Sequence, residues 1–342
     1  MLMELVAEYG LFLAKTLTWL VAIVLVLGLV GGAVRQLREL RGERLEIRNV
    51  GQRLKDLAEQ MNCELLPESE QKAAAKARRK EEKAKQKAAK HGEQQRPRVF
   101  VLHFEGDLQA HAVANLREEI SAILQVAKDG DEVLLSLESA GGLVHAYGLG
   151  ASQLLRLKNK NLKLTVAVDK VAASGGYLMA CVADRILAAP FAVIGSIGVV
   201  AQLPNFNRLL KRKEIDVELH TAGEFKRTLT MFGENTDEAR SKFRQELEDT
   251  HQLFKNFVSD QRPSVALEQV ATGEHWYGTQ ALDLKLIDEI STSDDYLLSR
   301  VQDADVFELR QRLHRPIPER LGMAMARLTR AFSGRLRQSE LP

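Results

Sequence analysis

Cysteine is nearly missing from this sequence: Cys63 and Cys181 are the only two in 342 residues. Two cysteines in unlike contexts build no disulfide framework. With no CxxC pair and no Cys/His spacing, they suggest no zinc site either. Both read as free thiols. Net charge is also scarce, at +2, and that near balance hides strong local bias. Charge is absent from 16 to 34, aromatic and β-branched residues are absent from 67 to 98, and no histidine lies near Ser174 in the chain. Each of these gaps shapes the reading below.

Hydrophobic residues make up 45% of the chain and charged residues 27%, which suits a globular protein with a real core. The length allows two domains, or one large domain with appendages.

Tyr9 to Val34 reads "YGLFLAKTLTWLVAIVLVLGLVGGAV", with Lys15 its only charge. That is about the ~20 apolar residues needed to cross a bilayer core, and Trp19 stands where an interface anchor would. Glu4 and Glu8 precede the run in place of a basic cluster, which argues against a cleaved signal peptide. Residues 1–35 are therefore expected to be a single-span membrane anchor. Arg35, Arg38, Arg41 and Arg44 follow it, and that excess of positive charge predicts a cytoplasmic catalytic domain.

Residues 36–98 read as a charged, helical or disordered spacer. Leu37, Leu40, Leu45, Ile47, Leu54, Leu57 and Met61 give its first part some helical periodicity. The run from 67 to 98, rich in Lys, Ala, Glu and Gln, cannot bury enough apolar surface to order against a core. It reads as a solvated tether touching lipid headgroups. With no aromatics between its charges, it does not read as a nucleic-acid arm.

The pattern changes at Pro97. "RVFVLHFEGD", "DEVLLSLES" and "NLKLTVAVD" read as strands, alternating with helical spacing in "AHAVANLREEISAILQVAK" and "GGLVHAYGLGASQLLRLKNK". A third helix begins at "GYLMACVA", and short strands follow in "RILAAPFAVIGSIGVV". Strands alternating with helices predict parallel βαβ units, so residues 99–291 are expected to form one α/β domain. Residues 292–342 are expected to be a helical extension, with an amphipathic pattern from 316 to 338.

Two strand-to-helix junctions carry glycine pairs. Gly141-Gly142 follows the second strand, and Ser174-Gly175-Gly176 follows the third. Ligands bind at the carboxyl ends of parallel strands, and glycines let backbone amides approach them closely. Paired amides there could hold an oxyanion, although each pair alone is equally a tight turn. Ser174 has no neighbouring histidine. Lys226, in a polar stretch downstream, is a possible base in its place, because a desolvated lysine can be neutral and Ser-Lys pairs replace Ser-His pairs in some hydrolases. Spacing alone does not identify such a pair.

Together, "ESAGGLVHAYG", "AASGGYLMA", "IGSIGVV" and "TAGEFKRTLTMFGE" resemble the signal peptide peptidase A family. The leading span, spacer and single domain resemble its SohB branch. The resemblance implies a ClpP/crotonase-like superhelix. It implies Ser174 as nucleophile and Lys226, about fifty residues on, as general base. It places oxyanion donors at Gly141 and Gly175, and a lysine-orienting hydroxyl at Ser196. It further implies apolar peptide substrates, no metal or organic cofactor, a bacterial inner-membrane location, and a homo-oligomer whose protomers share sites. Relatives in the broader family work on the outer face of that membrane, against the cytoplasmic side favoured by the charges. No nucleic-acid partner is expected. The sequence departs from the family pattern at Ala140, where relatives carry proline, and at Arg227, where they carry aspartate. An acyl-CoA enzyme of the crotonase type and a catalytically silent membrane scaffold are the alternatives.

Overall fold

The computed structural model describes residues 44–67, 96–223 and 225–312, with scattered positions from 10 to 28 and from 70 to 80. The chain divides into two compact units, Met1–Leu45 with Arg312–Pro342, and Glu46–Gln311. The second unit holds nearly all the elements below. The expected span over 9–34 lies largely outside the described residues, as do most of the tether and the whole 316–338 tail. No helix among the described residues is long and apolar enough to cross a membrane.

The elements run β1 (Arg44–Asn49), α1 (Val50–Leu65), β2 (Arg98–Glu105), α2 (Val113–Val126), β3 (Glu132–Glu138), α3 (Val144–Lys158), β4 (Lys163–Val168) and β5 (Val171–Ala173). Then come α4 (Gly175–Ala180), β6 (Arg185–Ala188), β7 (Val193–Gly195), α5 (Asn207–Arg212), α6 (Asp237–Gln261) and α7 (Leu267–Val270). The chain continues through β8 (His275–Tyr277), α8 (Gly278–Asp283), β9 (Glu289–Ile290), α9 (Ser293–Asp303) and β10 (Asp305–Arg312). Side chains cap three of the helices in the usual way. Asn49 accepts from the Gln52 amide, Thr236 from Ala239 and Thr292 from Asp295.

Seven strands form one sheet in the order β1-β10-β2-β3-β4-β6-β9, and β5-β7-β8 form a smaller one. The ladders from β10 across to β9 are parallel. Parallel strands need both faces covered, which explains the nearly continuous apolar runs in β2, β3 and β4. On one face, Val99, Val101, Leu134, Ala167 and Leu187 pack with Val50, Tyr296 and Val306. The other face meets α2 and α3, where Phe104 packs edge-on against Tyr147.

The α/β domain expected from the sequence is present, but the sheet reaches beyond residues 99–291. β1 falls inside the expected spacer, and β10 lies in what was expected to be a helical extension. Val50 and Val306 are buried in the core beside Val99. β1 alternates charged with apolar residues over six positions (RLEIRN), too short a run to separate from a helix edge by periodicity.

The smaller sheet positions the site. Ser139, the residue after β3, bridges to Ala172 of β5. Its amide donates to Val171 at 2.8 Å, and its carbonyl accepts from Ala173 at 3.0 Å. The end of the large sheet is thereby stitched to the strand that leads into Ser174.

Candidate active site

Ser174 stands between β5 and α4 with φ 51° and ψ −119°. A non-glycine residue there costs on the order of 1–3 kcal/mol and persists only where its surroundings impose it. They do so through two bonds. The Ser174 amide donates to the Gly195 carbonyl at 2.8 Å, and its carbonyl accepts from Leu178 at 2.9 Å. The side chain is half-buried.

Glycines close around it because nothing larger fits. Gly141 has φ +91°, and a Cβ on it would lie 2.7 Å from both the Ser174 Cβ and the Gly175 amide nitrogen. A Cβ on Gly175 would run into the Tyr147 ring, and one on Gly176 into the Ser139 carbonyl. The two glycine pairs singled out in the sequence therefore meet at Ser174.

Their amides are not equivalent. The Gly141 N–H donates to Ser139 Oγ at 3.0 Å, so it is already engaged. Among the described residues the Gly142 and Gly175 amides have no hydrogen-bond partner. A hydroxyl beside an open amide can attack a carbonyl and have the resulting negative charge held.

Ser196 follows β7 as Ser174 follows β5, one step past the paired residues Ala173 and Gly195. Its amide donates to Glu274 at 2.7 Å and its Oγ to Gly273 at 3.4 Å. Lys226 lies in a segment without regular structure, and its amide donates to Gly223 at 3.2 Å. That segment is braced on α5 by Asn205 and Asn207, whose amides donate to the Thr230 and Phe232 carbonyls at 2.8 and 2.9 Å. Phe206 stacks on Phe232.

Lys226 itself is exposed. Among the described residues it has no hydrogen bond to Ser174 or Ser196, so the lysine-orienting contact expected of Ser196 is not formed within one chain. No histidine is hydrogen-bonded to Ser174 there either. Val200, Phe206, Leu209, Ile215 and Phe225 leave an apolar surface exposed along this segment.

The other potential nucleophile nearby is Cys181, which is buried. Burial pushes its thiol up to about 12, so it stays protonated at neutral pH. Ser139 and Tyr147, both in "ESAGGLVHAYG", are further residues of the site that the sequence pattern does not single out. The signal available was a serine two residues before the glycine pair and a tyrosine in the first turn of α3.

Two consecutive family models match the chain: peptidase family S49 N-terminal over residues 4–154, and peptidase family S49 over residues 156–306. The probable protease SohB of Haemophilus influenzae is 51% identical over 331 residues, covering 94% of this chain and 93% of that protein. The probable protease SohB of Buchnera aphidicola subsp. Schlechtendalia chinensis is 63% identical over 207 residues, covering 60% of this chain and 68% of that protein. Among solved structures, a mutant of a membrane-bound stomatin-specific protease is similar at a TM-score of 0.43 and 13% identity, over 65% of this chain and 100% of that one. Identity of this extent along almost the whole chain, with both family models falling on it in order, makes this chain a peptidase of family S49, on its SohB-like branch.

Proposed function

We propose that the protein is a membrane-anchored serine endopeptidase with a ClpP/crotonase-like domain, using Ser174 as nucleophile and Lys226 as general base. The observation that carries this reading is the backbone at Ser174: a strained φ of 51° on a half-buried serine, next to the open Gly175 amide.

Ser174 Oγ attacks the scissile carbonyl carbon while its proton passes to neutral Lys226 Nζ. The tetrahedral oxyanion is held by the Gly175 amide and by the Gly141–Gly142 loop, each donor contributing ~3–4 kcal/mol. Gly141 joins only by sharing its N–H with Ser139, whereas the Gly142 N–H is open. The C–N bond breaks as Lys226 returns the proton to the leaving amine. Water, deprotonated by Lys226, then cleaves the acyl ester and regenerates Ser174.

Lys226 reaches Ser174 from a neighbouring protomer. Its lack of a hydrogen bond to Ser174 or Ser196 among the described residues and the apolar surface around it both favour a homo-oligomer with shared sites. Burial in that interface would desolvate the amine and favour its neutral form. The substrates are apolar peptides, such as signal peptides or fragments of membrane proteins. The anchor is residues 1–35 in the inner membrane, with the peptidase domain on the cytoplasmic side.

A fluorophosphonate probe tests the nucleophile. It should label the wild type at Ser174 and leave Ser174→Ala unlabelled. Equal labelling of both would remove the assignment. Paired C-terminal reporters, each active in one compartment, test the side of the membrane.

A further inference from the structure

Four groups beside Ser174 form one directed hydrogen-bond chain. Tyr147 Oη donates to the Asp107 carbonyl at 2.8 Å. A phenol has one proton, so the 2.6 Å contact between Ser139 Oγ and Tyr147 Oη is carried by the serine proton. Ser139 Oγ is then left as an acceptor, and it takes the Gly141 N–H at 3.0 Å. The direction is fixed along its whole length, from Gly141 through Ser139 and Tyr147 to Asp107. Tyr147 is fully buried and Ser139 is 2% exposed, so solvent does not replace a bond lost from this chain.

The same two side chains shape the rest of the cradle. The Tyr147 ring fills the space beside Gly175, and the Ser139 carbonyl fills that beside Gly176. The two hydroxyls together fill the space that a side chain at Gly106 would need. Asp107, the residue after Gly106, supplies the terminal acceptor. Leu108 then accepts the Leu143 amide at 2.9 Å, which ties the far side of the Gly141–Gly142 loop to the same segment.

We propose that Tyr147 and Ser139 are positioning residues for the oxyanion site. By holding the Gly141 amide, they fix the Gly141–Gly142 loop, which packs Gly141 against Ser174 and the Gly175 amide. Neither residue touches substrate or exchanges a proton with it. The inference rests on the reading of Ser174 as nucleophile.

Tyr147→Phe removes one oxygen and keeps the ring. With a fluorogenic apolar peptide, kcat should fall about 10- to 100-fold, by displacement of a donor, while KM stays within about twofold. Affinity for a peptide aldehyde, which forms the oxyanion, should fall by the same factor as kcat/KM. Affinity for the product peptide and the pH midpoint of kcat/KM should not move. Ser139→Ala should behave alike, and the double variant should cost no more than the worse single, because both cut one chain.

Wild-type kcat in either single variant, or multiplicative losses in the double, would overturn the proposal. So would equal loss of aldehyde and product affinity, which marks general damage. Where the fluorophosphonate labels the wild type but not Ser174→Ala, such a result removes the positioning role alone. Labelling that does not depend on Ser174 removes the nucleophile, and the positioning role falls with it.

Discussion

Ser174 and Ser196 occupy the same step past two paired parallel strands, and both have φ 51°. The Ser174 amide is tied to the residue before Ser196 by the 2.8 Å bond to the Gly195 carbonyl. Two adjacent strands thus each end at a serine with a positive φ. The hydroxyl proposed to attack and the hydroxyl expected from the resemblance to orient the base are joined by one piece of backbone.

Gly141→Ala tests the closeness of that cradle. The new methyl would lie 2.7 Å from the Ser174 Cβ, at a backbone φ of +91°. Something has to shift, and any shift displaces either the loop or Ser174 itself. Peptidase activity should fall at least about 100-fold, since small displacements at a reacting centre cost that much. The melting temperature should drop by only a few degrees, as for a loss of about 1 kcal/mol. Near-wild-type kcat/KM would show that the loop does not face the reacting carbonyl.

The base makes a second prediction. If Lys226 acts as a neutral base, kcat/KM rises with pH. Lys226→Arg should be nearly inactive throughout, because a guanidinium keeps its proton. Substantial turnover by Lys226→Arg would require another base.

Glu119 predicts a pH dependence of stability that is separate from catalysis. Its Oε1 accepts the Gln311 amide at 2.7 Å, and its Oε2 is buried with no partner among the described residues. Burial pushes the carboxyl up to about 7, against the pull of the Gln311 hydrogen bond and Arg310. The folded chain therefore binds this proton more tightly than the unfolded chain does. The contribution is fully present below pH ~4.5 and is lost as pH rises through ~7. Urea midpoints at pH 5 and pH 8 should differ, and Glu119→Gln should narrow the gap. An unchanged gap in that variant would place the effect elsewhere.

Arg262 and Asp288 clamp the end of α6 to β6 and the turn before β9. The guanidinium makes two 2.8 Å bonds to the carboxylate, which also accepts the Ile186 amide at 2.7 Å. Burial raises the Asp288 pKa, but the Arg262 bond and charge, with the Ile186 hydrogen bond and the Arg185 charge, together outweigh it and hold the group below the usual range. Asp288→Ala removes the counter-charge of a buried guanidinium and leaves it only the Lys285 carbonyl at 3.1 Å, at a cost of about 3 kcal/mol, read as a fall in the denaturant midpoint. A change below about 0.5 kcal/mol would mean solvent rescues the cation.

The central strands were legible because sheet burial on both faces writes itself as runs such as "VFVLHF" and "VLLSL". The glycine pairs were legible because backbone crowding at Ser174 tolerates no side chain. β1 and β10 were not, because β1 is a six-residue edge strand whose apolar positions alternate with Arg and Glu, and β10 mixes Glu308, Arg310 and Arg312 with its apolar residues, so neither carries a run long enough to read. The engagement of Gly141 was hidden for another reason. It depends on Tyr147 reaching back to Asp107, 40 residues earlier, and a contact across that distance leaves no local pattern. Lys226 was a candidate base in the sequence but was paired with Ser174 only through the resemblance, since nothing in its own stretch distinguishes it from a solvated charge.

The central claim is that Ser174 and Lys226 form one working site across two subunits. Mixing purified Ser174→Ala with Lys226→Ala, each inactive alone, tests both residues and the sharing together. After verified co-assembly, mixed oligomers should recover part of the wild-type activity, scaling with the fraction of interfaces that pair an intact Ser174 with an intact Lys226. Activity in either variant alone, or none in the mixed oligomer, would contradict the account.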